Sequence, residues 1–183
     1  MSQVWEIFSE ELYLTHHYYN LQIHLFVLMS NHFHMIASTP EANISTCMAY
    51  FMKNTSLRLT RAGNRINETF AGRHHKSILH SKYCYLNAYK YNYQNPVVAR
   101  IVDRVEDYKY STLAGLLGKS RLFIPVAEDH NLFPSVEITL SWLNTPSDPQ
   151  KQEAVRWGLK RQFYKPKLCR STRLPIMKEN DLL

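Results

Sequence analysis

Little in this chain marks it as secreted, membrane-bound or nucleotide-dependent. Of its 183 residues only 5 are Gly, and no Gly-rich phosphate loop occurs. That argues against P-loop and dinucleotide-binding enzymes. The 3 cysteines (Cys47, Cys84, Cys169) are odd in number and far apart. Neither a disulfide framework nor a paired-cysteine zinc site is expected, which fits a reducing cytoplasm. No apolar run comes near the roughly 18 residues of a membrane helix, and the best, Leu25 to Met29, is far shorter. No membrane partner is therefore expected. The N-terminal stretch carries Glu6, Glu10 and Glu11 and does not read as a signal peptide. No serine nucleophile elbow and no Cys–His nucleophile pair stands out.

Basic charge is missing altogether from residues 1–40, which carry −3. It is concentrated in residues 41–91 and 151–183, at +6 each, while 92–150 carries −2. The net charge is +7, with 45% apolar and 13% aromatic residues. Two separated basic blocks in a folded chain suggest a polyanionic partner, and nucleic acid is the commonest.

Periodicity gives a coarse map. Val4, Ile7, Phe8 and Leu12 recur at helical spacing and predict a helix over 3–18. Residues 21–29 alternate, with Leu21, Ile23, Leu25, Val27 and Met29 assigned to one strand face. His24, on the other face with Phe26, reads as a core or surface histidine. After a Ser30-Asn31 turn, residues 32–38 predict a second strand. A long helix follows over 43–62, with Ile44, Met48, Phe51, Met52 and Leu59 as its core stripe. Residues 76–80 predict a short strand. Residues 82–94 predict a helix stopped at Asn95-Pro96. Short helical pieces follow over 97–102 and 106–118. A last helix is expected over 149–164, before a basic tail. The domain reading is 1–125 for the main domain and 126–183 for an extension. The order is helix, strand, strand, helix, strand, helix. It predicts an α+β fold with a ferredoxin-like antiparallel sheet, helices on its faces and the first strand missing or shortened.

Three sets of residues could carry chemistry. His32 and His34 lie two apart on a strand, so both face one side and could share a divalent metal. Asn87, Tyr91 and Asn95 share a helix stripe. Tyr91 could be a nucleophile if a metal helps carry the developing charge, and Asn95 could add an oxygen ligand. The basic residues Arg58, Arg61, Arg65, Arg73 and Lys76 could grip a nucleic acid backbone.

These residues resemble a known family. His24-Leu-Phe-Val-Leu-Met-Ser-Asn-His32-Phe-His34 is similar to the "VLMPNHxH" strand of single-tyrosine HUH transposases, in the branch of REP-associated tyrosine transposases. Tyr91-x-x-x-Asn95-Pro96-Val97 resembles that branch's "YIxxNPVRAG" helix. Glu106-Asp107-Tyr108-Lys-Tyr110-Ser111 resembles "PEDYxWSS", and Phe70-Ala-Gly72-Arg73 with Ser77-Ile78 resembles "GxRYxS". The motifs stand in the family's order between residues 21 and 118.

The resemblance implies a metal-dependent DNA nickase and strand-transferase. His32 and His34, with Asn95, would hold Mg²⁺ or Mn²⁺. Tyr91 would attack a phosphodiester of single-stranded hairpin DNA, leaving a 5′-phosphotyrosine and a free 3′-hydroxyl. Another strand's hydroxyl would then reverse the step and rejoin DNA. Arg58, Arg61, Arg65, Arg73, Lys76 and the 151–173 segment would grip the hairpin. A cytoplasmic, nucleoid-associated protein follows, as monomer or homodimer. The alternative is a non-catalytic hairpin binder descended from such an enzyme. A third reading is an unrelated metal phosphoesterase using water as nucleophile. Two departures stand out. The family's first strand ("YHVxxR") has no counterpart ahead of the first helix, so an upstream start, another segment, a partner or a decayed copy would account for it. The Arg and Gly of "NPVRAG" are Val98 and Arg100 here.

Overall fold

The computed structural model describes all residues except 64–69, 71–73, 133, 166, 170, 171, 173, 179 and 180. Arg65 and Arg73 therefore lie outside the described residues. The elements are α1 (Ser2–Tyr19), β1 (Gln22–Leu28), β2 (Phe33–Ser38), α2 (Ile44–Ala62), α3 (Lys82–Val98), a 3-10 turn (Val105–Asp107), α4 (Thr112–Leu116), α5 (Val136–Asn144) and α6 (Pro149–Gly158). The class is α+β, and among the described residues the sheet is the antiparallel pair β1–β2. No helix among them is long and apolar enough to cross a membrane. The chain forms two compact units, Met1–His74 with Tyr108–His130, and His75–Asp107 with Asn131–Leu183.

In the first unit, α1 and α2 cover one face of the hairpin. Phe8 and Leu12 of α1 meet Cys47, Met48 and Phe51 of α2 in one cluster. Ile44, Met52 and Leu59 pack against it, as the helical spacing predicts. Asn20 ends α1 at φ 54, a left-handed conformation that Asn tolerates. The strand face differs from the expectation. A bulge at His24 separates the pairs Ile23↔Ala37 and Leu25↔Ile36. One extra residue shifts the alternation by one, so the helix-side face is Leu21, Ile23, Phe26 and Leu28. Leu25 and Val27 share the other face with Ile36 and His34, their cross-strand partners. All of these β1 residues are buried, so the strand is covered on both faces.

The outer edge of β1 is closed by the segment after the 3-10 turn. The Leu28 N–H donates to the Tyr110 carbonyl (2.9 Å), and the Tyr108 hydroxyl donates to the Leu28 carbonyl (2.6 Å). Thr112 Oγ1 accepts from the Phe26 N–H (3.0 Å), and the Ala127 N–H donates to the Ile23 carbonyl (2.7 Å). Ser111 caps α4 by accepting from the Ala114 N–H. These residues of the Tyr108–Ser111 motif thus blunt a sheet edge.

In the second unit, α3 runs through Pro96 instead of stopping before it. The preference against helix before Pro is outweighed by a satisfied last turn: the Ala99 N–H bonds the Asn95 carbonyl and the Ile101 N–H the Pro96 carbonyl, both at 2.9 Å. Arg100 follows with φ 57, a glycine-favouring conformation. It stands where the similar motif has Gly. The expected 76–80 strand is a single parallel bridge, Ile78↔Phe163. The expected pieces over 97–102 and 106–118 reduce to the end of α3, the 3-10 turn and α4. Helix α5 was hidden by the prolines around it, although Ser135 caps it by accepting from Ile138. Helix α6 starts on Asp148 and Pro149 but ends at Gly158, short of 164. A Cβ on Gly158 would lie 2.9 Å from both the Tyr164 ring and the Lys165 carbonyl, so the returning chain needs glycine there.

Candidate functional site

The hairpin places the two expected histidines side by side in the first unit. His32 is exposed at the turn and His34 is half-buried on the face shared with Val27. Their Nε2 atoms are 3.1 Å apart, with the rings at 89° and centroids 4.8 Å apart. Phe33, between them, points into the core, 5.7 Å from Phe26 between ring centroids. Burial lowers the pKa of His32. Burial, and then the neighbouring His32, push His34 down to about 4. Both imidazoles are therefore neutral at neutral pH, the form that binds metals. Two neutral imidazoles at this spacing could share one divalent ion. Among the described residues no group of three or more His, Cys, Asp or Glu could hold a metal. His24 is not part of this pair. It is the bulge residue, bonded through Nε2 to Ser38 Oγ at 2.9 Å.

Tyr91 and Asn95 belong to the second unit. They are one turn apart on α3, and Asn95 Nδ2 donates to the Tyr91 carbonyl at 2.9 Å. The Tyr91 ring is half-buried against the cluster of Cys84, Ala154, Val155, Tyr164 and Met177. Burial raises the phenol pKa. Arg156 and a hydrogen bond with the Asn95 side chain oppose that rise, and Glu153 adds to it. Arg156, on α6, was not singled out from sequence. Its electrostatic influence on Tyr91 joins residues far apart in sequence, and only its place in the basic 151–183 block hinted at it. Asn87, the third member of the stripe, is bound elsewhere. Its Nδ2 donates to the Asp181 carbonyl and its Oδ1 accepts from the Leu183 N–H, both at 2.9 Å.

The basic residues divide by what they touch. Arg58 bonds Glu10 and, at 3.1 Å, Glu11. Its charge ties α2 to α1. Arg61 is exposed in the last turn of α2, beside a groove lined also by Glu6 and Glu10. Those carboxylates disfavour a polyanion at that groove. Lys76 is exposed in the second unit, two residues before the bridge to Phe163. The bridge sets Ile78 beside the exposed Phe163, which follows the exposed Lys160 and Arg161 in the chain. The Arg161 guanidinium lies 3.9 Å from the Trp157 ring centroid. Cations interleaved with aromatic faces suit a nucleic acid strand. No family model matches this chain, and neither a curated protein nor a solved structure matches it at a significant level.

Proposed function

We propose that this protein is a DNA nickase and strand-transferase of the single-tyrosine HUH type, acting on single-stranded hairpin DNA, with a ferredoxin-like ancestry for its hairpin and helices. The observation that carries the reading is the pair of neutral imidazoles with Nε2 atoms 3.1 Å apart. Tyr91 is the nucleophile: its oxygen forms a bond to phosphorus as the 3′-oxygen leaves. The phenol proton goes to solvent or a nearby base. The product is a 5′-phosphotyrosine with a free 3′-hydroxyl, and attack by a strand-end hydroxyl restores DNA and the phenol. A Mg²⁺ or Mn²⁺ ion held by His32 and His34 would supply charge stabilisation at the scissile phosphate. Arg156 favours the phenolate form of Tyr91. The cationic and aromatic face of Lys76, Lys160, Arg161 and Phe163 holds the strand, in a cytoplasmic, nucleoid-associated setting.

The test is cleavage of hairpin DNA with Mn²⁺ by the wild type, H32A and Y91F. Cleavage lost in both variants, with 3′-hydroxyl ends in the wild type, supports the reading. Cleavage retained by Y91F contradicts it. The burial that raises the Tyr91 pKa favours one second reading, a non-catalytic hairpin binder of the same descent. That protein would bind hairpins and cut none.

A further inference from the structure

The turn between β1 and β2 contains a contact that the backbone does not require. The Met29 N–H bonds the His32 carbonyl at 2.8 Å and closes the loop around Ser30 and Asn31. Asn often occupies such turns because it tolerates a left-handed backbone. Asn31 is not among the residues with positive φ, so the turn does not need its conformational freedom. Its side chain is used instead on the next residue. Asn31 Oδ1 lies 2.6 Å from His32 Nδ1. A carbonyl oxygen only accepts, so His32 Nδ1 carries the hydrogen.

We infer that Asn31 is a positioning residue that holds the His32 proton on Nδ1 and leaves Nε2 bare, turned toward His34. The inference rests on the metal-centre reading for its purpose, because a ligating nitrogen must be unprotonated. It also assigns the 3.1 Å contact in the metal-free protein: His34 Nε2–H donates and His32 Nε2 accepts, and that hydrogen must leave His34 Nε2 before both nitrogens can ligate. Histidine ligands usually have their other nitrogen fixed in this way by an oxygen acceptor, and loss of that acceptor costs about 10–100-fold in metal affinity. Here the acceptor comes from the adjacent residue in the chain, on an exposed turn.

The test is long-range ¹H–¹⁵N correlation of the imidazoles in metal-free protein at neutral pH. Wild type should show His32 protonated on Nδ1 and bare on Nε2. N31A should show a mixture of tautomers, and N31D, which keeps the acceptor, should restore the single form. In parallel, Mn²⁺ binding followed by the EPR signal of free Mn²⁺ should weaken about tenfold or more in N31A and recover in N31D. A His32 protonated on Nε2 in wild type, or an unchanged tautomer in N31A, overturns the inference. The expected tautomers together with no Mn²⁺ binding by wild type would support this role and count against the metal-centre reading.

Discussion

His32 Nε2 faces His34 Nε2 at 3.1 Å along the start of the second strand, while Phe33 between them is anchored in the core. The pair is thus held by packing as well as by strand geometry. The pKa of His34 is lowered to about 4, below its ordinary value of 6.5. The unfolded chain binds this proton more readily between those values. The stability it contributes is full above pH 6.5 and is lost as pH falls toward 4. The loss is roughly 3 kcal/mol at most. Denaturant melts across that window should show the decline, and H34A should flatten it.

A second linkage concerns Lys90, buried at 1% exposure in the second unit. Its Nζ donates to the Leu183 carbonyl at 3.0 Å and lies 5.4 Å from the Trp142 ring centroid. Burial pushes its pKa down to about 8 from 10.5. The unfolded chain binds the extra proton between those values, so stability should rise as pH climbs from about 8 toward 10.5. Melts of K90M should lack that rise.

Arg100 provides a backbone test. Its φ of 57 carries a steric cost that glycine does not. R100G should raise stability by about 1 kcal/mol, read as a higher denaturant midpoint with an unchanged slope. A loss of stability would mean that the arginine side chain makes up more than the strain.

Much of the first unit was legible. Its two helices carry apolar stripes at regular spacing, and the hairpin has a clear turn. The bulge was not. A strand buried on both faces has no polar residue to mark a change of side, so the parity shift at His24 leaves the sequence looking regular. Pro96 and the prolines around α5 misled for a related reason. Local rules about proline describe preferences that hydrogen bonds at a helix end can outweigh. The side-by-side placing of His32 and His34, and of Tyr91 and Asn95 one turn apart, was legible because those spacings are local. The pairing of Arg58 with Glu10 and Glu11 and the placing of Arg156 near Tyr91 were not, since both join residues far apart in sequence.

The basic residues make separable predictions. R58A should destabilise the protein by about 1–2 kcal/mol, because it leaves Glu11 buried without its partner while the half-buried arginine is partly screened. It should leave the salt dependence of hairpin binding unchanged. A K160A/R161A double variant should reduce the slope of log affinity against log salt by about 1.4 for single-stranded DNA if each cation meets one phosphate. Filter binding across a salt series reads both. A slope altered by R58A and untouched by the double variant would move the interface to the α1–α2 side of the first unit.

The central claim is covalent chemistry at Tyr91. Its most direct test is a denaturing gel of protein incubated with labelled single-stranded hairpins from the flanks of its own gene, with Mn²⁺ or Mg²⁺. A labelled band at the mass of the protein, absent in Y91F and lost on chelation, is the result expected. Hairpin binding without any such band under either metal would contradict it and leave the protein as a binder of hairpin DNA.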